Sequence, residues 1–115
     1  MIKVKRVYEE PSEGDGFRIL VDRLWPRGLT KEKAKIDLWL KEVSPSNELR
    51  KWYHENFDKW NEFKNKYQEE LKDRVDAVDE LKKLIKKNKI VTFLYSSKNE
   101  DNNNATALKE LIKNS

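Results

Sequence analysis

The chain has no cysteine and a single histidine, His54. Disulfides, thiolate zinc sites, a cysteine nucleophile and any multi-histidine metal centre are therefore excluded. Catalysis, if there is any, must come from carboxylates, amines, hydroxyls and guanidiniums. Glycine and proline are scarce, three of each in 115 residues, and no repeat, linker or low-complexity segment is visible. No apolar run approaches the roughly 20 residues needed to cross a bilayer. The first ten residues, MIKVKRVYEE, alternate charge with short apolar side chains where a secretory signal would carry an apolar block. The expectation is a cytoplasmic protein with no membrane partner.

What the chain does contain is charge of both signs. Charged residues make up 40% and hydrophobic residues 37%, with a mean hydropathy of -1.01. Lys+Arg 25 against Asp+Glu 21 leaves a net +4, so the charges nearly cancel and a globular fold is favoured over disorder. The modest basic excess suits a phosphorylated or nucleic-acid partner, and it equally suits lysine-rich solvated helices. At this length the chain forms one domain, residues 1–115, with one core.

Ile2, Val4 and Val7 alternate with basic residues as a first strand, ended by Glu9-Glu10-Pro11. Phe17, Ile19 and Val21 mark a second strand. Pro26 prevents its continuation, and Gly28 permits the turn that follows. Thr30 caps a short helical turn over 31–34, and Ile36, Leu38 and Leu40 alternate as a third strand. Ser44 and Pro45 read as the N-cap and first residue of a helix carrying Leu49, Trp52 and Tyr53 on one face. Asp58 is the expected cap of the next helix, where Trp60, Phe63, Tyr67 and Leu71 recur at helical spacing, more as core than as a stacking platform. Asp76 opens a further helix whose Lys82, Lys83, Lys86 and Lys87 fall in its last turns, where the helix dipole favours cations. Asn88 suits its C-terminus. Residues 90–95, IVTFLY, are apolar throughout as a central strand should be, and a last helix turns Ala105, Leu108, Leu111 and Ile112 inward.

Strands separated by helices define an α/β fold: a small, mostly parallel sheet packed by about four helices, with loops at the carboxyl ends of the strands lining a common crevice. The loop between the first two strands holds no helix, so that pair is either antiparallel, making the sheet mixed, or joined by a crossover without one.

Two segments could carry chemistry. In Val21 to Gly28 an acid and two guanidiniums, Asp22, Arg23 and Arg27, follow directly on a strand. A lysine-rich chain keeps arginine where a planar fork is needed, as for a carboxylate or phosphate. The plainer alternative is that Arg23 or Arg27 pairs with Asp22 or Glu42 to pin the loop. The second segment runs from Ser96, Ser97 and Lys98 to Asn102 and Asn104, a strand end leading into a helix start whose free amides can hold an anion. Ser, Asp and Asn are also ordinary capping residues. Together the segments suit a phosphate-bearing small molecule or nucleotide. Asp22 is then the candidate general acid or base, and Arg23, Arg27 and Lys98 the groups facing negative charge. Ser96 or Ser97 beside Lys98 resembles a serine-lysine dyad in order alone. His54, among Trp52, Tyr53 and Phe57, reads as a packed structural histidine.

The phrases DGFRILVDRLWPRGL, DLWLKEVSPSNELRKWYH and VTFLYSSKNEDNNNATAL, with the helix FDKWNEFKNKYQEEL between them, resemble the YeaO-like branch of the DUF488 family, small bacterial and archaeal proteins. The resemblance spans nearly the whole chain. It implies a compact α/β domain with an aspartate and arginine after one strand, a place that Asp22 and Arg23 occupy here. Relatives in other branches carry a cysteine-histidine-arginine signature near the last helix. This chain has Asn102-Asn103-Asn104 in that region, so cysteine chemistry does not carry over, and the resemblance names no substrate or cofactor. Two other readings stand beside the anion site. One is a nucleic-acid module using Lys82, Lys83, Lys86 and Lys87. The other is an interaction domain with Trp25 or Trp39 exposed as an anchor.

Overall fold

The computed structural model describes residues 1–114. Four strands, β1 (Ile2–Arg6), β2 (Phe17–Leu20), β3 (Leu38–Trp39) and β4 (Val91–Tyr95), form one sheet in the order β1-β4-β2-β3. Every pairing is parallel: Ile2 to Arg6 lie against Val91 to Tyr95, Phe17 to Leu20 against Val91 to Leu94, and Ile19-Leu20 against Leu38-Trp39. The sheet is therefore not mixed. β1 and β2 are not even neighbours, because β4 inserts between them, and their connection crosses over with only a single 3-10 turn, Glu13–Asp15. β4 is buried along its whole length, as its unbroken apolar run requires of a strand covered on both faces.

Alternation along the strands builds two unequal layers. On one face Ile19, Val21, Val91, Phe93 and Tyr95 pack under four helices. These are α2 (Asn47–His54), α3 (Trp60–Lys72), α4 (Val75–Lys87) and α5 (Asn104–Lys113). Phe63, Tyr67 and Leu71 of α3 are buried there, so the aromatic repeat is core. On the other face Leu20 and Leu94 meet Val7, Ala34 and Ile36, roofed by Trp25, Leu29 and Trp39. Among the described residues the one α-helix covering that side is the four-residue α1 (Lys31–Ala34). Thr30 caps it by accepting from the Lys33 amide at 3.1 Å.

The second face also holds a buried ion pair. Arg18, which points there from β2, donates to Asp15 at 2.5 Å and to the Ala34 carbonyl at 2.7 Å. The Asp15 carboxylate is joined by Lys5 at 3.1 Å. Burial opposes its charge, but the Ser12 amide and the Lys5 ammonium more than offset that, holding the carboxyl at about 2.

Two helix starts differ from the sequence expectation. Ser44 turns its hydroxyl back to the Lys41 carbonyl at 2.5 Å, and Ser46, beyond Pro45, caps α2 by accepting from the Leu49 amide at 3.1 Å. Ser46 wins because its own amide and hydroxyl are bound by Glu70 of α3 at 2.9 and 2.5 Å, a partner 24 residues away. Asp58 does not cap α3, which starts at Trp60 after a turn in which Lys59 donates to Asn56. α4 begins one residue before Asp76, at Val75, with Asp76 in its first turn. Among the described residues no helix is long and apolar enough to cross a membrane.

Candidate functional site

Because all four strands run the same way, the segments leaving β1, β4 and β2 emerge on one rim of the sheet. There they border an open cleft of about 1020 Å³. β1 contributes Arg6 and Tyr8, the segment after β2 contributes Asp22 to Arg27, and the segment after β4 contributes Ser96 to Asn99. α2 and its exit form the opposite wall with Arg50, Tyr53, His54 and Phe57, and Asn104 opens α5 beside them.

Seven of the eight sequence candidates border this cleft: Asp22, Arg23, Arg27, Ser96, Ser97, Lys98 and Asn104. The eighth, Asn102, does not. Its amide is bound by the Asn99 side chain at 2.9 Å and its carbonyl accepts from Tyr53 at 3.2 Å. That contact ties α2 to the start of α5, and burial pushes the Tyr53 phenol up.

Asp22 is held by three hydrogen bonds. One carboxylate oxygen accepts from the Ser96 amide at 2.9 Å and the Ser96 hydroxyl at 2.8 Å, and the other from the Asn104 side chain at 2.9 Å. Asn104 also donates to the Val21 carbonyl at 3.2 Å. The carboxylate thus fastens the exit of β2 to that of β4 and to the first turn of α5. It also places a negative charge at that helix start, where an anionic ligand would have stood. Arg23 is likewise committed, donating to the carbonyls of Pro45 at 3.0 Å and Ser44 at 3.4 Å. It pairs with neither Asp22 nor Glu42. It pins the β2 exit to the entry of α2.

Arg6 donates to the carbonyls of Ser97 and Ser96 at 2.9 and 3.1 Å and lies over the Tyr8 ring at 5.3 Å. Two cations remain uncommitted: Arg27 and Lys98 are exposed, and their side chains have no partner among the described residues. Neither Ser96 nor Ser97 is hydrogen-bonded to Lys98. Ser97 accepts from the Asn99 amide at 3.1 Å, so the pairing of a serine-lysine dyad is not formed.

His54 is the last residue of α2 and is exposed, not packed. Its ring meets the Phe57 edge at 5.4 Å on the cleft wall. Trp25 and Trp39 are not exposed anchors either. They pack edge to face at 5.4 Å and donate to the Leu29 and Asp22 carbonyls, each at 2.7 Å, which stiffens the loop from below. Of the α4 lysines, Lys83, Lys86 and Lys87 are exposed, and none borders the cleft.

Sequence reasoning missed Arg6, Tyr8, Arg50 and Phe57. Two signals were available. Arg6 ends a strand whose exit shares the rim of the others, and Arg50 and His54 are four apart on one helix face.

Each β-exit segment is thus held by bonds to elements distant in sequence, and the whole is a compact parallel α/β domain with a cationic rim. A family model described as the "Inactive DUF488-N3 subclade" matches residues 1–115. The chain belongs to this DUF488 family. It is similar to the uncharacterized protein YeaO of Escherichia coli K12, at 41% identity over 97% of this chain and 96% of that protein. It is also similar to the uncharacterized protein Rv3073c of Mycobacterium tuberculosis H37Rv, at 40% identity over 96% of this chain and 92% of that one. No solved structure matches.

Proposed function

We propose that the cleft binds a phosphate-bearing ligand, with Arg27 and Lys98 meeting the anion and Asp22 and Arg23 holding the walls in place. One observation carries this reading. Among the described residues, five cationic side chains, Arg6, Arg23, Arg27, Arg50 and Lys98, border the cleft against a single carboxylate, Asp22, and that carboxylate already accepts three hydrogen bonds. A site with unspent positive charge and no free acid attracts anions and repels cations.

The same arrangement favours binding over turnover. A general base needs a free oxygen within reach of the proton it takes, and of the Asp22 oxygens one accepts two hydrogen bonds and the other one from within the chain, which leaves a single acceptor site. The word "Inactive" in the family description agrees with that reading.

Thermal shift against inorganic phosphate, pyrophosphate, sugar phosphates and nucleotides tests it. A ligand at 100 times its Kd stabilises by about 2.7 kcal/mol. The expected result is a concentration-dependent rise in Tm that the double variant Arg27→Ala, Lys98→Ala loses. No rise with any of these compounds at millimolar concentration, and no binding of a short oligonucleotide, would refute the proposal.

A further inference from the structure

Charge alone does not account for this cleft. Five large apolar side chains are notably exposed among the described residues, namely Met1, Tyr8, Leu24, Phe57 and Val75. Three of them, Tyr8, Leu24 and Phe57, border this one opening, at 43%, 58% and 53% exposure. They come from three separate elements: the exit of β1, the exit of β2 and the turn after α2. Exposed apolar side chains that converge on one concave surface mark a binding site, whereas scattered ones do not.

The two rings are also held in place. The Tyr8 hydroxyl donates to the Arg27 carbonyl at 3.0 Å, and the Arg6 guanidinium lies against the ring. Phe57 is wedged edge-on between Tyr53 at 5.2 Å and His54 at 5.4 Å. Rings fixed this way lose little freedom when a planar group stacks on them. A sugar phosphate offers no plane to stack, and a single nucleotide offers one. The cleft volume of about 1020 Å³ lies at the upper end of the range for small-molecule pockets, roughly 300–1,000 Å³.

We infer that the occupant is a single-stranded nucleic acid, with its phosphodiesters along Arg27, Lys98 and Arg50 and its bases against Tyr8 and Phe57. This rests on the phosphate-site reading and names the ligand class of that site. Rings alternating with cations along an open groove are how sequence-tolerant single-strand binders work. A duplex keeps its base faces stacked internally and has nothing to offer the rings. Glu9, Glu100 and Asp101 are exposed near the rim but do not border the cleft. With the exposed Glu55 and Asp58 on either side of Phe57 at the α2 exit, they keep the strand within the cleft.

Fluorescence anisotropy with labelled ten-residue oligothymidylate and oligouridylate, a duplex of equal length and a polyglutamate peptide tests the inference, with mononucleotide thermal shifts run in parallel. Two to three phosphate contacts should weaken oligonucleotide binding about 7- to 20-fold between 50 and 200 mM salt. Phe57→Ala, and Phe57→Leu, which keeps bulk without a ring, should each weaken it at least about fivefold. Arg27→Ala should weaken it as well, with Tm confirming that each variant is folded. Duplex should bind more weakly than either single strand. A Tm rise with mononucleotide but no oligonucleotide binding, or oligonucleotide binding indifferent to both Phe57 variants, overturns this inference and leaves the phosphate site standing. Polyglutamate binding as tightly with the same Phe57 dependence overturns it in favour of a protein partner. Absence of both the shift and the anisotropy change overturns both readings.

Discussion

Replacing Asp22 with alanine removes the acceptor of three hydrogen bonds, and the donors left behind are not equivalent. The Ser96 hydroxyl and the Asn104 amide can rotate toward water, and Asn104 keeps its second bond to the Val21 carbonyl. The Ser96 backbone amide cannot turn. Its lost bond to a carboxylate is of the charge-assisted kind, about 1.5–3 kcal/mol, and the two mobile donors add a few tenths each. The expected cost of Asp22→Ala is about 2–3 kcal/mol. With an unfolding entropy of about 2.1 cal/mol/K per residue, that is a fall in Tm of about 8–12 °C. Asp22→Asn keeps one carbonyl acceptor and should lose about half as much. Urea unfolding with an unchanged m-value gives the same quantity independently. An Asp22→Ala protein melting within 2 °C of the parent, yet unable to bind any phosphate-bearing ligand, would show that the carboxylate faces the ligand and not the frame, and the reasoning would fail.

Two further predictions concern the frame. The Asp15 carboxyl, at about 2 in the folded chain against an ordinary 3.8, gives stability that is complete above about pH 4 and is lost as pH falls toward 2. The amount is about 2 kcal/mol. Melting curves from pH 5 to 2 should therefore fall more steeply for the parent than for Asp15→Asn, which itself starts about 3 kcal/mol lower with Arg18 left buried without its counter-ion; parallel curves would contradict the assignment. Gly16 and Gly28 both have positive φ, 63° and 78°, but a Cβ at Gly16 would lie 2.2 Å from the Ile90 carbonyl oxygen while one at Gly28 meets nothing within 4 Å. Gly28→Ala should cost about 1 kcal/mol from backbone strain alone, and Gly16→Ala clearly more; equal losses by urea unfolding would refute the distinction.

The parts of the fold legible in the sequence were those set by local pattern. The alternation of Phe17, Ile19 and Val21, the unbroken run before Ser96 and the aromatic repeat on α3 each named an element and its buried side. What was hidden depends on partners distant in the chain. Nothing near Ser46 announces Glu70, so Ser44 beside Pro45 looked like the cap. The insertion of β4 between β1 and β2 is a long-range pairing that no loop composition encodes. At the cleft, the types and places of Asp22 and Arg23 were readable, but their engagement was not, since the Asp22 partners lie 74 and 82 residues on. His54 misled because aromatic neighbours in sequence look like packing, although α2 ends at that residue and leaves it exposed, with its ring against Phe57 on the cleft wall.

The strand order carries a consequence for how the molecule is made. β1 and β2 leave the ribosome early, and β1 has no partner until residues 91–95 have been synthesised. Throughout that interval the nascent chain exposes unsatisfied backbone amides and carbonyls that any passing extended segment could capture. Sheet closure then waits for β4 to dock against β2 and for β1 to add to its other edge. That ordering predisposes the protein to slow, non-local folding, and it makes loss of the last quarter of the chain incompatible with any sheet built around β4.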